Sequence, residues 1–372
     1  MLVKDIKLHN YRNYSNINIP LHPTLNIIIG PNGIGKTNIL ESVIVSSNTK
    51  SFRTLNDKEL IKKEEEYSKI EINSDVGLLK IVINQTGKSL FINNNPIKKT
   101  SEYIGKLNAI LFKPSDLELF SISPKERRKL LDIELGKISK DYLSSLVTYN
   151  KLLKDKNKLL KENHIDQNYL ELIDQEMIPN IIQIINLREE FFKNINLWIS
   201  DIYQAISNTN TKIEIVYKKC CEQNEVKDKL LNSKEKDNFY HYATFGPHHD
   251  DYYFKFNDDE LNSVASQGQK RMVFISFKFA LIKYIQLITK TTPVILLDDV
   301  LSELDTDNQS RLLRMLPSNA QIIITDTDVN GIKLIKDYNL IELKEKKDGW
   351  NKYSTWQLYF WWYSSLRRFR SC

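Results

Sequence analysis

The chain has 372 residues, which at roughly 150 per domain allows two domains or one large domain with an insertion. Its 41% hydrophobic and 10% aromatic content excludes a mostly disordered chain, and a net charge of +6 is too mild to demand a polyanionic partner. Three cysteines, Cys220, Cys221 and Cys372, two of them adjacent, exclude a disulfide framework and suit a reducing compartment.

Leu2, Ile6 and Leu8 alternate with charges and predict a short strand, with no apolar core of a signal peptide in Met1 to Tyr14. Leu25 to Ile29 is a continuous apolar run that suits a strand buried on both faces. It ends at Gly30, and after Gly35 the residues Ile39, Leu40, Val43 and Ile44 recur at helical spacing, giving strand, glycine loop, helix. From Ile70 to Ile92 the pattern alternates as in a small antiparallel sheet, with Asn93 to Pro96 as turn material.

Beyond Pro124 the character changes. Residues 137–245 contain no glycine and a single proline, Pro179. Ile138, Tyr142, Leu146, Tyr149, Leu153 and Leu160 form one apolar stripe; Tyr169, Ile173, Met177, Ile181, Ile184, Phe191, Ile195 and Ile199 form a second. Two long amphipathic helices paired antiparallel are expected. After Gly246-Pro247 come a helix over Lys270 to Ile288, a strand over Val294 to Leu297 and another over Gln321 to Thr325. Lys278 and Lys283 interrupt the longest apolar stretch, so a soluble cytoplasmic protein without a membrane span is expected.

Gly30-Pro31-Asn32-Gly33-Ile34-Gly35-Lys36-Thr37 matches the phosphate-binding pattern G-x-x-x-x-G-K-[ST] in its proper strand-to-helix setting. Small residues let successive backbone N–H groups face phosphate oxygens, with the helix N-terminus behind them. Lys36 would reach the β and γ phosphates, and the Thr37 hydroxyl would ligate magnesium. The acidic partner is expected at Val294-Ile295-Leu296-Leu297-Asp298-Asp299, where Asp298 would hold magnesium and Asp299 would orient or deprotonate an attacking water. Both motifs must meet at one sheet edge although about 260 residues separate them, so the helical segment must be an insertion into a nucleotide-binding head.

These pieces stand with Leu8-His9-Asn10-Tyr11-Arg12-Asn13-Tyr14, Ser51-Phe52-Arg53, Ser266-Gln267-Gly268-Gln269-Lys270-Arg271 and Ser302-Glu303-Leu304-Asp305. Ser123-Pro124 through Arg127-Arg128 to Leu131-Asp132, Tyr149 to Lys161, and Thr244 through Gly246-Pro247-His248 to Asp250-Asp251 extend the set. In order and spacing the chain, from residue 1 to about 345, resembles the SMC-like branch of the ABC ATPases and within it the RecF family of bacterial recombination and repair proteins.

The resemblance implies an α/β fold, a P-loop ABC-type ATPase head split in sequence with an inserted mainly helical domain. Its parts would be residues 1–122 and 240–345 for the head and 123–239 for the insertion. It implies ATP and magnesium as cofactors, with Gly30 to Thr37, Arg12, Ser266, Gly268 and Asp305 around the nucleotide. Ser266 would act on the nucleotide of a partner head, Asp299 would be the catalytic acid, and Asp305 would belong to the loop crossing a homodimer interface. Arg53 would touch ATP or DNA.

The implied task is to dimerise on ATP, clamp double-stranded DNA at single-strand gaps, hydrolyse slowly and assist RecA loading, with RecR and RecO as partners. The basic residues Lys125, Arg127, Arg128 and Lys129, and Lys151, Lys154, Lys156 and Lys158 on the helical arm, are candidates for phosphate backbones. The chain departs from the family at His249, where arginine is usual, and at Asp155-Lys156-Asn157, where Gln-Arg-Asn is usual. No histidine follows the strand Gln321 to Thr325, where transporter ATPases place a switch histidine and Thr325 or Asp326 stands here; nor is there a glutamine in Leu111 to Leu117, where Asp116 would substitute. A transporter ATPase subunit, the rival reading, would have a contiguous head and that histidine; a non-hydrolysing scaffold is a third reading. His248, His249, Asp250 and Asp251 carry metal-type donors, but neighbouring side chains rarely converge on one ion. The tail, residues 346–372, holds four of the five tryptophans with Arg367, Arg368 and Arg370, as a stacking or membrane-touching segment would, or an extension with no selected role.

Overall fold

The computed structural model describes residues 1–162, 164, 166–301, 304–327 and 338–344, and the backbone of 352–357. Ser302, Glu303 and most of the aromatic tail, including Arg367, Arg368 and Arg370, lie outside the described residues. Internal contacts divide the chain into two compact units: residues 1–98, 109–114 and 292–372, and residues 99–108 and 115–291.

The first unit opens with β1 (Val3–Tyr11), β2 (Tyr14–Pro20), β3 (Leu25–Ile29) and α1 (Lys36–Asn48). β4 (Tyr67–Ser74), β5 (Gly77–Asn84), β6 (Gly87–Ile92) and β7 (Asn95–Ile97) follow. The chain enters the second unit for α2 (Thr100–Tyr103), returns for β8 (Ala109–Phe112), and leaves again for residues 115–291. There it forms α3 (Pro124–Ile138), α4 (Lys140–Leu159), α5 (Gln167–Asn196), α6 (Ile199–Ser207) and β9 (Ile213–Lys218). α7 (Val226–Tyr240), β10 (Asp251–Phe256), β11 (Asp259–Glu260), α8 (Leu261–Val264) and α9 (Gln267–Thr289) complete that unit. β12 (Val294–Asp298), α10 (Thr306–Met315), β13 (Ile322–Asp326), β14 (Asn339–Lys344) and β15 (Lys352–Gln357) close the first unit.

An antiparallel sheet in the order β2-β1-β4-β5-β6-β7 and a second sheet in the order β15-β14-β3-β13-β12-β8 make the first unit. The alternating segment 70–92 forms the expected antiparallel strands, and the pairing of β1 with β4 extends them into the larger sheet. Asn95 and Pro96, expected as turn, begin the strand β7; Asn93 and Asn94 alone turn the chain, both left-handed at φ 51° and 65°, as a two-residue hairpin loop requires. In the second sheet β14, β3, β13, β12 and β8 run parallel, and β3 and β12 are buried almost throughout, which explains their unbroken apolar runs. α1 touches strands of both sheets and is buried nearly all round.

The second unit bears out a helix pair: α4 and α5 run antiparallel, since Lys156 near the end of α4 meets Asp174 near the start of α5, while Tyr142 meets Arg188. Ile138 closes α3 instead of joining that pair. Two buried cations tie the helices. Lys156 is 2% exposed and pairs at 2.8 Å with both Asp174 and Asp237. It is thus a core residue and not a candidate for phosphate. Arg188, equally buried, donates to the Tyr142 hydroxyl at 2.9 Å, Pro247 O at 2.8 Å, Asp250 at 2.7 Å and Asp132 at 2.8 Å. α9 extends the expected helix by three residues at its start, and two-thirds of its most apolar window is buried, as in a core helix.

His248 sits in this core with its Nε2 within 3.1 Å of Ala243 O and its Nδ1 on the Tyr149 hydroxyl. A carbonyl can only accept, so Nε2 carries the proton and Nδ1 accepts. Burial first, then the neighbouring His249, pulls the His248 imidazole down to about 4. The folded state therefore binds the proton less readily than the unfolded chain, whose imidazole titrates near 6.5. The cost of holding a neutral imidazole is absent above about pH 6.5 and is incurred as pH falls towards 4, removing on the order of 3 kcal/mol of stability. Urea unfolding of His248→Gln should show a shallower loss between pH 7 and 4.5 than the wild-type chain; parallel pH profiles would refute the assignment.

Candidate functional site

Gly30 leaves β3 and begins a loop whose backbone runs close to β14: a Cβ there would lie 2.9 Å from Leu343 O. Gly35 has φ 113° and would drive a Cβ to 2.6 Å from the Tyr14 hydroxyl, so only glycine serves at the start of α1. Within this loop Lys36 is 5% exposed and donates to Gly30 O at 2.7 Å and Pro31 O at 3.2 Å. Its ammonium thus lies inside the loop that its sequence pattern predicts will hold phosphate.

The strand-end acids stand beside it. Thr37 Oγ1 donates to Asp298 Oδ1 at 3.0 Å, and Thr325 Oγ1, from the adjacent parallel strand β13, donates to the same oxygen at 2.7 Å. Thr325 therefore stands in the area where a transporter ATPase would carry its switch histidine. A hydroxyl and a carboxylate 3.0 Å apart are hard oxygen donors of the kind magnesium prefers, so the residues fit that ion. Asp299 is left-handed at φ 51°, a conformation uncommon outside glycine, and its N–H lies 3.3 Å from Thr325 O. Burial, then the charge of Asp298, raises the Asp299 carboxyl above the ordinary range; Lys36 opposes the rise and Asp326 adds to it.

The tip of the β1–β2 hairpin adjoins the same loop. Asn13 Nδ2 donates to Ile34 O at 2.8 Å, and Asn38 Nδ2 donates to Asn13 Oδ1 at 2.8 Å. Arg12, left-handed at φ 53°, donates to both oxygens of Glu41, at 2.9 and 2.6 Å. Glu41 is fully buried on α1 and also accepts from Ser51 Oγ at 2.5 Å. Arg53 reaches Asn38 Oδ1 at 2.7 Å and lies 3.8 Å from Glu41. Glu41 is thus the hub that joins Arg12 to the Ser51-Phe52-Arg53 segment. Sequence reasoning passed over it, although a lone acid inside Ile39 to Ile44 is a visible signal.

Asp305, also in the first unit, caps α10 by accepting from Asn308 N at 2.8 Å, and that N–H holds its carboxyl low. The remaining predicted residues lie in the second unit. Ser266 caps α9 in a reciprocal capping box: its Oγ accepts from Gln269 N at 3.3 Å while Gln269 Oε1 accepts from Ser266 N at 2.8 Å. Ser266, Gln267, Gly268 and Gln269 are all exposed, and a Cβ at Gly268 would meet nothing within 4 Å. Lys125 is exposed, whereas Arg127 forms a two-pronged pair with Asp251 at 2.9 and 2.6 Å and Arg128 donates to Asp250 O at 2.6 Å. Asp250 is further held by Arg188, the Tyr217 hydroxyl and Cys220 N, so the acids beside His248 and His249 serve cations and backbone. Among the described residues no group of acids, histidines and cysteines is arranged to hold a metal ion.

The described carboxylates around the loop predict opposite effects on stability. Glu41→Leu leaves Arg12 without its buried partner and should cost about 3 kcal/mol or more. Asp299→Asn should instead stabilise the chain at neutral pH. Its carboxyl ionises less readily folded than unfolded, so its presence lowers stability as pH rises above about 4. Thermal unfolding at pH 7 and pH 4 checks both signs: the Asp299→Asn gain should shrink at pH 4, and a gain equal at both pH values would contradict the environment described.

Comparison with known proteins matches residues 2–350 to the RecF/RecN/SMC N-terminal domain. The chain is 37% identical over 350 residues to the DNA replication and repair protein RecF of Bacillus cytotoxicus, covering 90% of this chain and 94% of the relative. It is 36% identical over 355 residues to that of Lachnoclostridium phytofermentans, covering 92% and 98%. Among solved structures, the recombination mediator protein RecF in its ATP form, of the RecFOR pathway, superposes with a TM-score of 0.86 at 28% identity, covering 95% of this chain and 97% of that one. The Smc head domain of Pyrococcus furiosus, at 18% identity and a TM-score of 0.58 over 96% of each chain, shares the fold.

Proposed function

The chain belongs to the RecF family of DNA replication and repair proteins, and from that membership we propose that it is an ATP-dependent DNA-binding protein of recombinational repair in the cytoplasm. It dimerises on ATP, clamps double-stranded DNA at single-strand gaps, and assists RecA loading with RecR and RecO; slow hydrolysis releases the clamp. The observation that carries the nucleotide part is the 3.0 Å hydrogen bond from Thr37 to Asp298, which joins the phosphate loop to the strand-end acid. The RecF relative solved in its ATP form supports the same reading.

The chemistry follows from the residues. Lys36 exchanges the carbonyls of Gly30 and Pro31 for the more strongly accepting β and γ phosphate oxygens. The N–H groups of the loop and the N-terminus of α1 add partial positive charge. Thr37 and Asp298 are the residues that would hold magnesium, which would supply charge neutralisation for the phosphates. Asp299, whose carboxyl is raised above its ordinary range by burial and by the charge of Asp298, orients the water and takes its proton. Ser266, exposed at the start of α9, completes the nucleotide site of a second copy, and Gly268 leaves room for the approach. Arg12 lies beside the nucleotide. Asp305 lies at the dimer interface; Arg53 in the first unit and the exposed Lys125 in the second are cations for DNA, and Arg127 and Arg128, held by Asp251 and by Asp250 O, contribute beside Lys125.

Lys36→Ala should weaken ATP binding at least a hundredfold by calorimetry, about 3 kcal/mol for lost charge-assisted bonds. Asp299→Asn should keep ATP binding and lose hydrolysis. Ser266→Asp retains a capping acceptor but sets a carboxylate against phosphate, so it should bind ATP as a monomer and fail to dimerise in sedimentation. DNA affinity should rise with ATP and fall with salt at a slope of about −0.9 per phosphate contacted. ATP-independent DNA affinity would remove the clamp from the reading.

A further inference from the structure

The tip of the β1–β2 hairpin decides which way one peptide of the phosphate loop faces. Asn13 Nδ2 donates to Ile34 O at 2.8 Å, so the Ile34 carbonyl points at the hairpin. In a trans peptide the carbonyl and the following N–H point in opposite directions, and none of the described peptide bonds is cis. The Gly35 N–H is therefore turned away from the hairpin. It has no acceptor among the described residues, whereas the Ile34 N–H is already given to Pro31 O at 3.3 Å.

The sense of the Asn13 amide is dictated from further along α1. A side-chain amide can present either its oxygen or its nitrogen to a neighbour unless its other partners forbid one choice. A guanidinium can only donate, so Arg53, at 2.7 Å, makes Asn38 Oδ1 an acceptor. Asn38 Nδ2 then donates to Asn13 Oδ1 at 2.8 Å, which leaves Asn13 Nδ2 for the Ile34 carbonyl. The hairpin tip is itself pinned: Arg12 is held through its guanidinium by Glu41 and through its N–H by Leu60 O at 2.9 Å. The contact is close as well as directed, since a Cβ on Gly35 would lie 2.8 Å from both the oxygen and the nitrogen of the Asn13 amide.

We propose that Asn13 is a positioning residue for ATP: by holding the Ile34 carbonyl it presents the Gly35 N–H to a phosphate oxygen, and Asn38, oriented by Arg53, sets the sense of its amide. Asn13 acts through the loop and not on the nucleotide. This role deepens the ATP-binding reading and rests on it. A donor fixed in advance needs no reorganisation when the anion arrives. A peptide free to turn over would withdraw that donor and could set a carbonyl oxygen against the phosphate instead.

The test measures binding to the full chain, by calorimetry, of ATP and of inorganic tripolyphosphate, which carries the phosphates without the nucleoside. Asn13→Asp keeps the size of the side chain and an acceptor for Asn38 but cannot donate; Asn13→Leu removes donor and acceptor without adding charge. Each should weaken both ligands by the same factor, at least about tenfold, while the unliganded chain melts as the wild type does. Asn38→Leu should weaken both ligands less, about threefold, and the double variant Asn13→Leu/Asn38→Leu should bind no worse than Asn13→Leu alone, because the two side chains act through one bond. Losses that multiply in the double variant overturn the relay. A loss for ATP that tripolyphosphate does not share places the contact at the nucleoside and overturns the proposal. So does a loss that appears in both Asn13 variants only together with a fall in the unliganded melting temperature, since the bond is then a structural clasp. Unchanged affinity in both Asn13 variants, or a wild-type chain that binds ATP but not tripolyphosphate, overturns this role alone. A wild-type chain that binds neither ligand overturns the ATP-binding reading too.

Discussion

One oxygen atom, Asp298 Oδ1, accepts hydroxyls from Thr37, 261 positions upstream, and Thr325, 27 positions downstream. Parallel pairing makes this possible: β3 and β12 each pair with β13, so their C-terminal ends open at one edge. The constraint dictates the rest of the chain path. Residues 115–291 must leave the sheet and come back in register, and the returning strand must be apolar to its last residue and acidic there. A single displaced residue in β12 would turn the carboxylate to the other face.

The two units bury charge for different ends. In the first, Glu41 lies under the phosphate loop and draws Arg12 and Arg53 towards the same helix, so its charge is spent on holding groups near the loop. In the second, Lys156 and Arg188 each join three or more elements in a region that has few glycines to make tight crossings. Buried ion pairs contribute little net stability over apolar packing, but removing one partner is costly. Their value here is positional: Lys156 sets α4, α5 and α7 against one another through Asp174 and Asp237, and the segment following α7 inherits that order.

The central strands, α1 and the helix pair were legible because burial on both faces or on one stripe leaves a periodic trace. Leu25 to Ile29 and Val294 to Leu297 gave their positions directly, and the glycine pattern fixed what lay between strand and helix. What escaped were partners made by tertiary contact. Lys156 looks in sequence like its exposed neighbours Lys154 and Lys158, and only the arrival of Asp237 from α7 makes it a core residue. The pairing of Arg127 with Asp251 is likewise invisible across 124 positions. β7 was hidden because three residues give no period, and its pairing follows from the Asn93-Asn94 turn instead.

Ser266 fills a local structural role that leaves part of its side chain unused. Its Oγ accepts the N–H of Gln269, which is ordinary helix capping and by itself accounts for serine at that position. A hydroxyl, however, has one donor besides its lone pairs, and capping consumes only acceptor capacity. The O–H stays available on a fully exposed surface, at the positive end of a helix of 23 residues, where an anion is favoured. Asparagine or aspartate would cap as well, but aspartate offers no donor and adds a charge of the wrong sign for phosphate. Serine, followed by a glycine that leaves the approach open, therefore satisfies the helix and still leaves a hydrogen to give, as threonine or asparagine would, whereas aspartate would not.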